Sequence, residues 1–262
     1  MADFRRLTED LGAGTPPAGW TTLVERPLVV VVGLTGVGKT TTLGGLDARA
    51  TPFIELPNRR WLTDEIMIPA AAADLGVALP VTDRAERFRM TARYRETHPG
   101  GMAELLTALA VPADASGPFV FDGIRGANEA DYAAKHLPNA RFCALVAPDA
   151  VRLTRLLIRA DPFDGGPVGG GFDRATADNL LRSSGVIPQA ERPDLLDWLA
   201  ANHIGADDLK GRLDAVAEER RNYDPDATVA ALRAGAGDRL TVVDTTVTGP
   251  ADAARALAAL LG

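Results

Sequence analysis

Five consecutive aliphatic residues, Leu28-Val29-Val30-Val31-Val32, run directly into Gly33-Leu34-Thr35-Gly36-Val37-Gly38-Lys39-Thr40. An unbroken β-branched run of this length fits a parallel strand buried on both faces. The string after it fits G-x-x-x-x-G-K-[ST] in full. Each position has a physical reason. Backbone must wrap around a phosphate with several N–H groups pointing inward, and glycines permit the dihedrals and the close approach. A helix opening at the end of the string adds partial positive charge. Lys39 adds a full charge toward the β- and γ-phosphates, and the Thr40 hydroxyl can ligate Mg²⁺. A helix is predicted over 40–49, so the string lies between a strand and a helix, the context the pattern requires. The expected ligands are ATP and Mg²⁺. Gly33, Thr35, Gly36, Val37, Gly38, Lys39, Thr40 and Thr41 are the expected cradle.

The rest of the chain alternates in the same way. Short apolar runs predict strands at 52–56, 118–121, 141–146 and 239–244. Periodic stretches predict helices at 83–96, 128–136, 148–160 and 251–261. The expected fold is α/β: a three-layer α/β/α sandwich of the P-loop NTPase kind around a five-stranded parallel sheet. Residues 161–236 show no strand pattern and begin with the glycine-rich tract 165–171, so they read as an inserted helical lid or substrate subdomain. Residues 26–160 and 237–262 then form the core. Residues 1–25 form an N-terminal arm, with a Gly/Pro loop at 12–19 and room for a short helix before it.

Composition sets outer bounds. A chain of 262 residues, 46% of them hydrophobic, can bury a core without disulfides. The single cysteine, Cys143, lies within Phe142-Cys143-Ala144-Leu145-Val146 and reads as a core residue. A net charge of −7 argues against a nucleic-acid partner. The apolar run at 27–32 is too short for a membrane span, and the start lacks a secretory pattern, so a cytoplasmic protein is expected. Homodimerisation stays open.

A loop of this kind works with a carboxylate that organises Mg²⁺ from the end of a hydrophobic strand. Phe119-Val120-Phe121-Asp122 supplies one, and Asp244 is a rival. The segment Phe119-Val120-Phe121-Asp122-Gly123-Ile124-Arg125-Gly126 resembles the Asp-Gly-x-Arg stretch of adenylate-kinase-like nucleoside monophosphate kinases. Residues 144–159, with Pro148, Arg152, Arg155 and Arg159, resemble the entry into the lid of those kinases and of dephospho-coenzyme-A kinase. The resemblance covers about 1–160 and 237–262. It implies that Asp122 organises Mg²⁺ and that Arg125 faces the acceptor or the transferring group. It also implies that Arg155 and Arg159 close over the phosphates. Arg152, Arg155 and Arg159 fall on one helix face.

On the acceptor side, Glu55 ends the second strand, where several small-molecule kinases hold the base that takes the acceptor's proton. Asn58 and Arg59 follow it, and Arg87 and Arg93 lie on an arginine-rich helix. With Arg125, these are the candidate contacts to a small-molecule phosphoryl acceptor. The long insert and the stretch 55–60 depart from the adenylate-kinase pattern, which leaves the acceptor unnamed. The loop also resembles that of signal-recognition-particle GTPases, but no Asn-Lys-x-Asp or Thr-Lys-x-Asp guanine motif occurs. A regulatory ATPase, driving residues 161–236 against a protein partner, is the alternative expectation.

Overall fold

The computed structural model describes residues 3–47, 52–159 and 171–262. The chain opens with three short strands, β1 (Arg5–Arg6), β2 (Gly12–Ala13) and β3 (Trp20–Thr22). The aliphatic run then forms β4 (Leu28–Val32), and the glycine string leads into α1 (Lys39–Asp47). Next come β5 (Ile54–Glu55) and a continuous helical stretch: α2 (Arg59–Leu62), a π-helical turn (Thr63–Met67) and α3 (Ile68–Leu75). Helices α4 (Arg84–Thr97) and α5 (Gly101–Thr107) precede β6 (Leu109–Pro112). Strand β7 (Phe119–Ile124), helix α6 (Ala127–His136), strand β8 (Ala140–Val146) and helix α7 (Asp149–Ile158) follow. Four helices come next: α8 (Arg174–Ser184), α9 (Arg192–Ala201), α10 (Ala206–Asn222) and α11 (Pro225–Ala236). Strand β9 (Leu240–Asp244) and helix α12 (Pro250–Leu261) end the chain.

The main sheet has five parallel strands in the order β5-β7-β4-β8-β9. All five residues of β4 are buried because both faces of the sheet are covered. Leu28, Val30 and Val32 pack with Phe119, Phe121 and Phe142, under α5, α6 and α11. Val29 and Val31 point the other way, to Leu43 and Leu46 of α1 and Leu257 of α12. Each such side chain stabilises the fold by about 1.5–3 kcal/mol relative to exposure. Cys143 belongs to the second face, and burial pushes its thiol up to about 12. The chain proceeds from β4 to β5 and β7 on one side and to β8 and β9 on the other. Sheets that reverse in this way bind ligands at the carboxyl ends of the strands around the reversal.

Strand β7 is longer than the sequence predicts. The prediction ends it at Phe121, bounded by Asp122-Gly123. Pairing instead continues, Val31 against Asp122 and Val32 against Ile124, with Gly123 as an extra residue. This is a β-bulge. It returns Ile124 to the face that holds Phe119 and Phe121. Asp122 is left on the α1 side of the sheet, opposite the end of β4.

Two other expectations are revised. The N-terminal segment gives β1, β2 and β3 to a four-stranded antiparallel sheet, order β1-β2-β6-β3; a strand stands where a short helix had room, and the expected loop is kept at 14–19. Its strands are two to four residues long, too short for a period-2 pattern to show, and their partner β6 lies far along the chain. The predicted helical insert divides between two cores. Helices α8, α9 and α10 share a cluster with Leu153 and Leu156 of α7. Helix α11 instead sends Val229 and Leu232 into the main core beside Ala133 and Ala134 of α6. The glycine-rich tract 165–171 lies, except for Gly171, outside the described residues. Among the described residues no helix is long and apolar enough to cross a membrane.

Candidate functional site

The glycine string leaves β4 at Val32 and turns sharply before α1. Gly33 adopts φ 151° and Gly36 φ 85°. A Cβ on Gly33 would stand 2.7 Å from the Leu145 carbonyl oxygen, and one on Gly36 would stand 2.9 Å from that of Arg152. The loop is therefore pressed between β8 and α7, and at both positions glycine is required by close approach and not only by the turn. The Thr42 amide donates to the Gly38 carbonyl at 2.9 Å and closes the first helical turn. Amides ahead of it belong to the donor-rich start of a helix. Thr40 and Thr41 are exposed there.

Lys39 folds back over the loop and donates to the Gly33 and Leu34 carbonyls at 3.1 Å each. Its Nζ lies 3.8 Å from Asp122 Oδ1. That oxygen is buried and accepts no hydrogen bond from the described residues. Burial pushes the Lys39 ammonium below its ordinary value, against the pull of Asp122. Burial pushes the Asp122 carboxyl above its ordinary value, against Lys39 and Arg125. Two opposite charges are thus held largely out of water, each only partly satisfied by the other. Perturbed groups of this kind, gathered at a strand end, make a candidate functional site. Asp244, the rival carboxylate, is exposed and accepts from the Thr246 amide at 2.8 Å, capping the turn after β9.

Beyond the loop opens a cavity of about 510 Å³, bounded by Gly38, Lys39 and Thr40, by Arg155 and Arg159, and by the Thr245–Ala253 region. Arg155 is its main strut. Its guanidinium donates to the Gly36 carbonyl at 3.3 Å, to Thr245 Oγ1 at 2.8 Å and to the Thr245 carbonyl at 2.7 Å. Thr245 Oγ1 donates in turn to the Val37 carbonyl at 2.9 Å. Strand β9 and helix α7 are so tied to the outer flank of the loop. Arg159, exposed at the end of α7, lines the same cavity.

The predicted arginine face of α7 splits. Arg152 is only 1% exposed. Its Nε donates to the Thr35 carbonyl at 2.8 Å, and its other nitrogens meet Asp149 and Glu219. It is a buttress under the loop, while Arg155 and Arg159 face the cavity. Arg125, the residue after β7, donates to Glu219 Oε1 at 3.0 Å.

Glu219, near the end of α10, is the residue that the sequence did not reveal. Its carboxylate accepts from the Thr35 amide at 3.1 Å and from Thr35 Oγ1 at 2.6 Å, besides Arg125 and Arg152. Arg220 next to it reaches Asp149 at 3.2 Å. In sequence, Glu218-Glu219-Arg220-Arg221 resembles any solvated helix face. Only the fold brings one of these charges onto a loop 184 residues away.

The acceptor-side candidates do not converge. Glu55 is exposed at the end of β5. Asn58 is also exposed and caps α2 by accepting from the Trp61 amide at 3.0 Å. Arg59 makes a bidentate pair with Glu129 at 2.6 and 2.7 Å and donates to the Gly123 carbonyl. Glu129 is only 2% exposed, so Arg59 neutralises a buried carboxylate beside the bulge. Arg87 pairs with Asp64 in the π-helical turn, and Arg93 pairs with Glu96 one turn further along its own helix. Neither lines the cavity. His98, after α4, stacks on Tyr94 and serves the helix end.

Neither the protein-family models nor the curated proteins compared with this chain give a match.

Proposed function

We propose that the chain is a P-loop phosphotransferase that binds ATP through Gly33–Thr40 and passes the γ-phosphoryl group to a small acceptor. The observation that carries this reading is the Lys39–Asp122 pair at the mouth of the glycine loop. A cation and a carboxylate whose buried oxygen accepts no hydrogen bond from the described residues stand where a triphosphate and its Mg²⁺ would need them. The cavity between the loop, α7 and the start of α12 has the volume for a nucleoside.

Each residue then has a role. The loop amides and Lys39 hold the phosphates. Arg155 and Arg159 line the cavity where the nucleoside and inner phosphates would lie. Thr40 and Asp122 would hold Mg²⁺, which supplies neutralisation of the phosphate charge when bound. A hard cation completed by phosphate oxygens needs few protein ligands, and the orphaned Asp122 oxygen fits that demand. Arg125 would face the acceptor or the transferring group, as the resemblance implies. In transfer, an acceptor oxygen bonds to the γ-phosphorus and the bond to the β-phosphate oxygen breaks, releasing ADP. If the acceptor is a hydroxyl, its proton goes to a base, for which Glu55 is the exposed candidate. Arg59, committed to Glu129, is a support for that side and not an acceptor ligand.

One observation favours the second reading, a regulatory ATPase. Glu219 ties the helical segment α8–α10 to the loop, a contact through which such an ATPase would pass nucleotide state to the helices. ADP release measured across a broad metabolite and nucleotide panel separates the two. A phosphotransferase releases ADP faster with its acceptor and forms a phosphorylated product, and Lys39→Ala abolishes both. Hydrolysis that no acceptor stimulates would replace the first reading with the second.

A further inference from the structure

Glu219 is held as a phosphate would be. Its two oxygens take a backbone amide and a hydroxyl of the glycine loop, and two arginines, from β7's exit and from α7. Amide, hydroxyl and guanidinium are the donors that bind a tetrahedral oxyanion. Thr35 is the third residue of the loop. It precedes the α1 start at Lys39, where the inner phosphates would rest, and shares the Glu219 carboxylate with Arg125. A carboxylate and a phosphate group cannot share one set of donors, and their charges repel.

We propose that Glu219 is the specificity-determining residue for phosphate-chain length: its carboxylate stands in the terminal-phosphate subsite, a nucleoside diphosphate binds with it in place, and a triphosphate must displace it. This rests on the reading of Gly33–Thr40 as a triphosphate cradle. Displacement frees Arg125 for the terminal phosphate. Arg152 keeps Asp149 as its partner at 2.5 Å and keeps its bond to the Thr35 carbonyl, so the loop's underside stays braced. The end of α10 loses its anchor to the loop, which makes occupancy by a triphosphate legible in α8–α10.

The test compares wild type with Glu219→Gln, which keeps the side chain's shape but removes its charge. Dissociation constants are measured for ADP and for the β,γ-imido analogue of ATP in the full chain with Mg²⁺. The ratio of the triphosphate constant to the diphosphate constant should fall about tenfold in the variant, through tighter triphosphate binding with ADP unchanged. Hydrogen exchange in wild type provides a readout that needs no substitution: the analogue should speed exchange over 215–223, and ADP should not. An unchanged ratio, weaker triphosphate binding by Glu219→Gln, or slower exchange in that segment would overturn the proposal while leaving the cradle reading intact. If neither protein binds either nucleotide, the cradle reading itself fails, and the proposal falls with it.

Discussion

Lys39 and Asp122 face each other at 3.8 Å across the mouth of the loop, and the fold supplies neither with full compensation. Lys39 spends its hydrogen bonds on two loop carbonyls, and Asp122 Oδ1 accepts none among the described residues. Keeping both charges there costs stability. Replacing the two together, Lys39→Met with Asp122→Asn, should raise stability by about 1–2 kcal/mol in denaturant titrations while abolishing nucleotide binding.

The same carboxylate has a pH signature opposite to the usual one. Its folded value is raised, so the unfolded chain releases this proton first as pH rises. The unfolded state then binds fewer protons than the folded one, and stability falls as pH rises from near 3.8 through the folded value. Asp122→Asn removes that contribution. Melting temperatures followed from acid to neutral pH should therefore rise in the variant relative to wild type across that window, with the difference levelling off above it.

Arg59 and Glu129 form a support that the proposed chemistry does not consume. Arg59→Ala leaves a carboxylate that is 2% exposed without its cation, at a cost of about 3–5 kcal/mol. Arg59→Lys recovers only part, because an ammonium cannot reproduce the bidentate bonds. Chemical denaturation should show both losses. Were Arg59 an acceptor ligand instead, Arg59→Lys would raise the acceptor KM and leave the melting curve in place.

Gly36 and Gly44 lie close in sequence but in opposite surroundings. Gly36→Ala puts a Cβ 2.9 Å from the Arg152 carbonyl at φ 85° and should cost about 1–3 kcal/mol, with loss of nucleotide binding. Gly44, inside α1, has open space where a Cβ would go. Gly44→Ala should stabilise by about 0.5–1 kcal/mol and leave binding unchanged. Thermal melts and nucleotide titrations on the two variants check both statements.

Much of the fold was legible because its signals are local. Leu28–Val32 announces a strand covered on both faces, and the glycine string announces the turn after it. The five strands of the parallel sheet all lie where short apolar runs predict them, though β7 continues past its predicted end. Its extra length hides in Asp122-Gly123, a pair that favours turns and here forms a bulge. Strands β1, β2, β3 and β6 carry too few residues for a pattern. Within the site, Lys39, Asp122 and Arg155 were legible because each sits at a fixed offset from a strand end or a motif. Glu219 was not, since nothing local distinguishes it from Glu218; its position comes from α10 packing on α7. Arg59, Arg87 and Arg93 misled for the complementary reason. A sequence shows that an arginine is present, but not which carboxylate the fold has already given it.

The bond from Thr245 to the Val37 carbonyl joins residues 208 positions apart. During synthesis the glycine string leaves the ribosome long before the threonine that flanks it exists. At about 5–20 residues per second, the interval is on the order of ten seconds or more. Throughout it, Arg155 also lacks the two oxygens of Thr245 that hold it against the loop. A nascent or C-terminally clipped chain ending before β9 therefore carries the entire motif without its outer wall. Possession of the motif and competence of the proposed cradle are separated in time, and β9 is the strand that joins them.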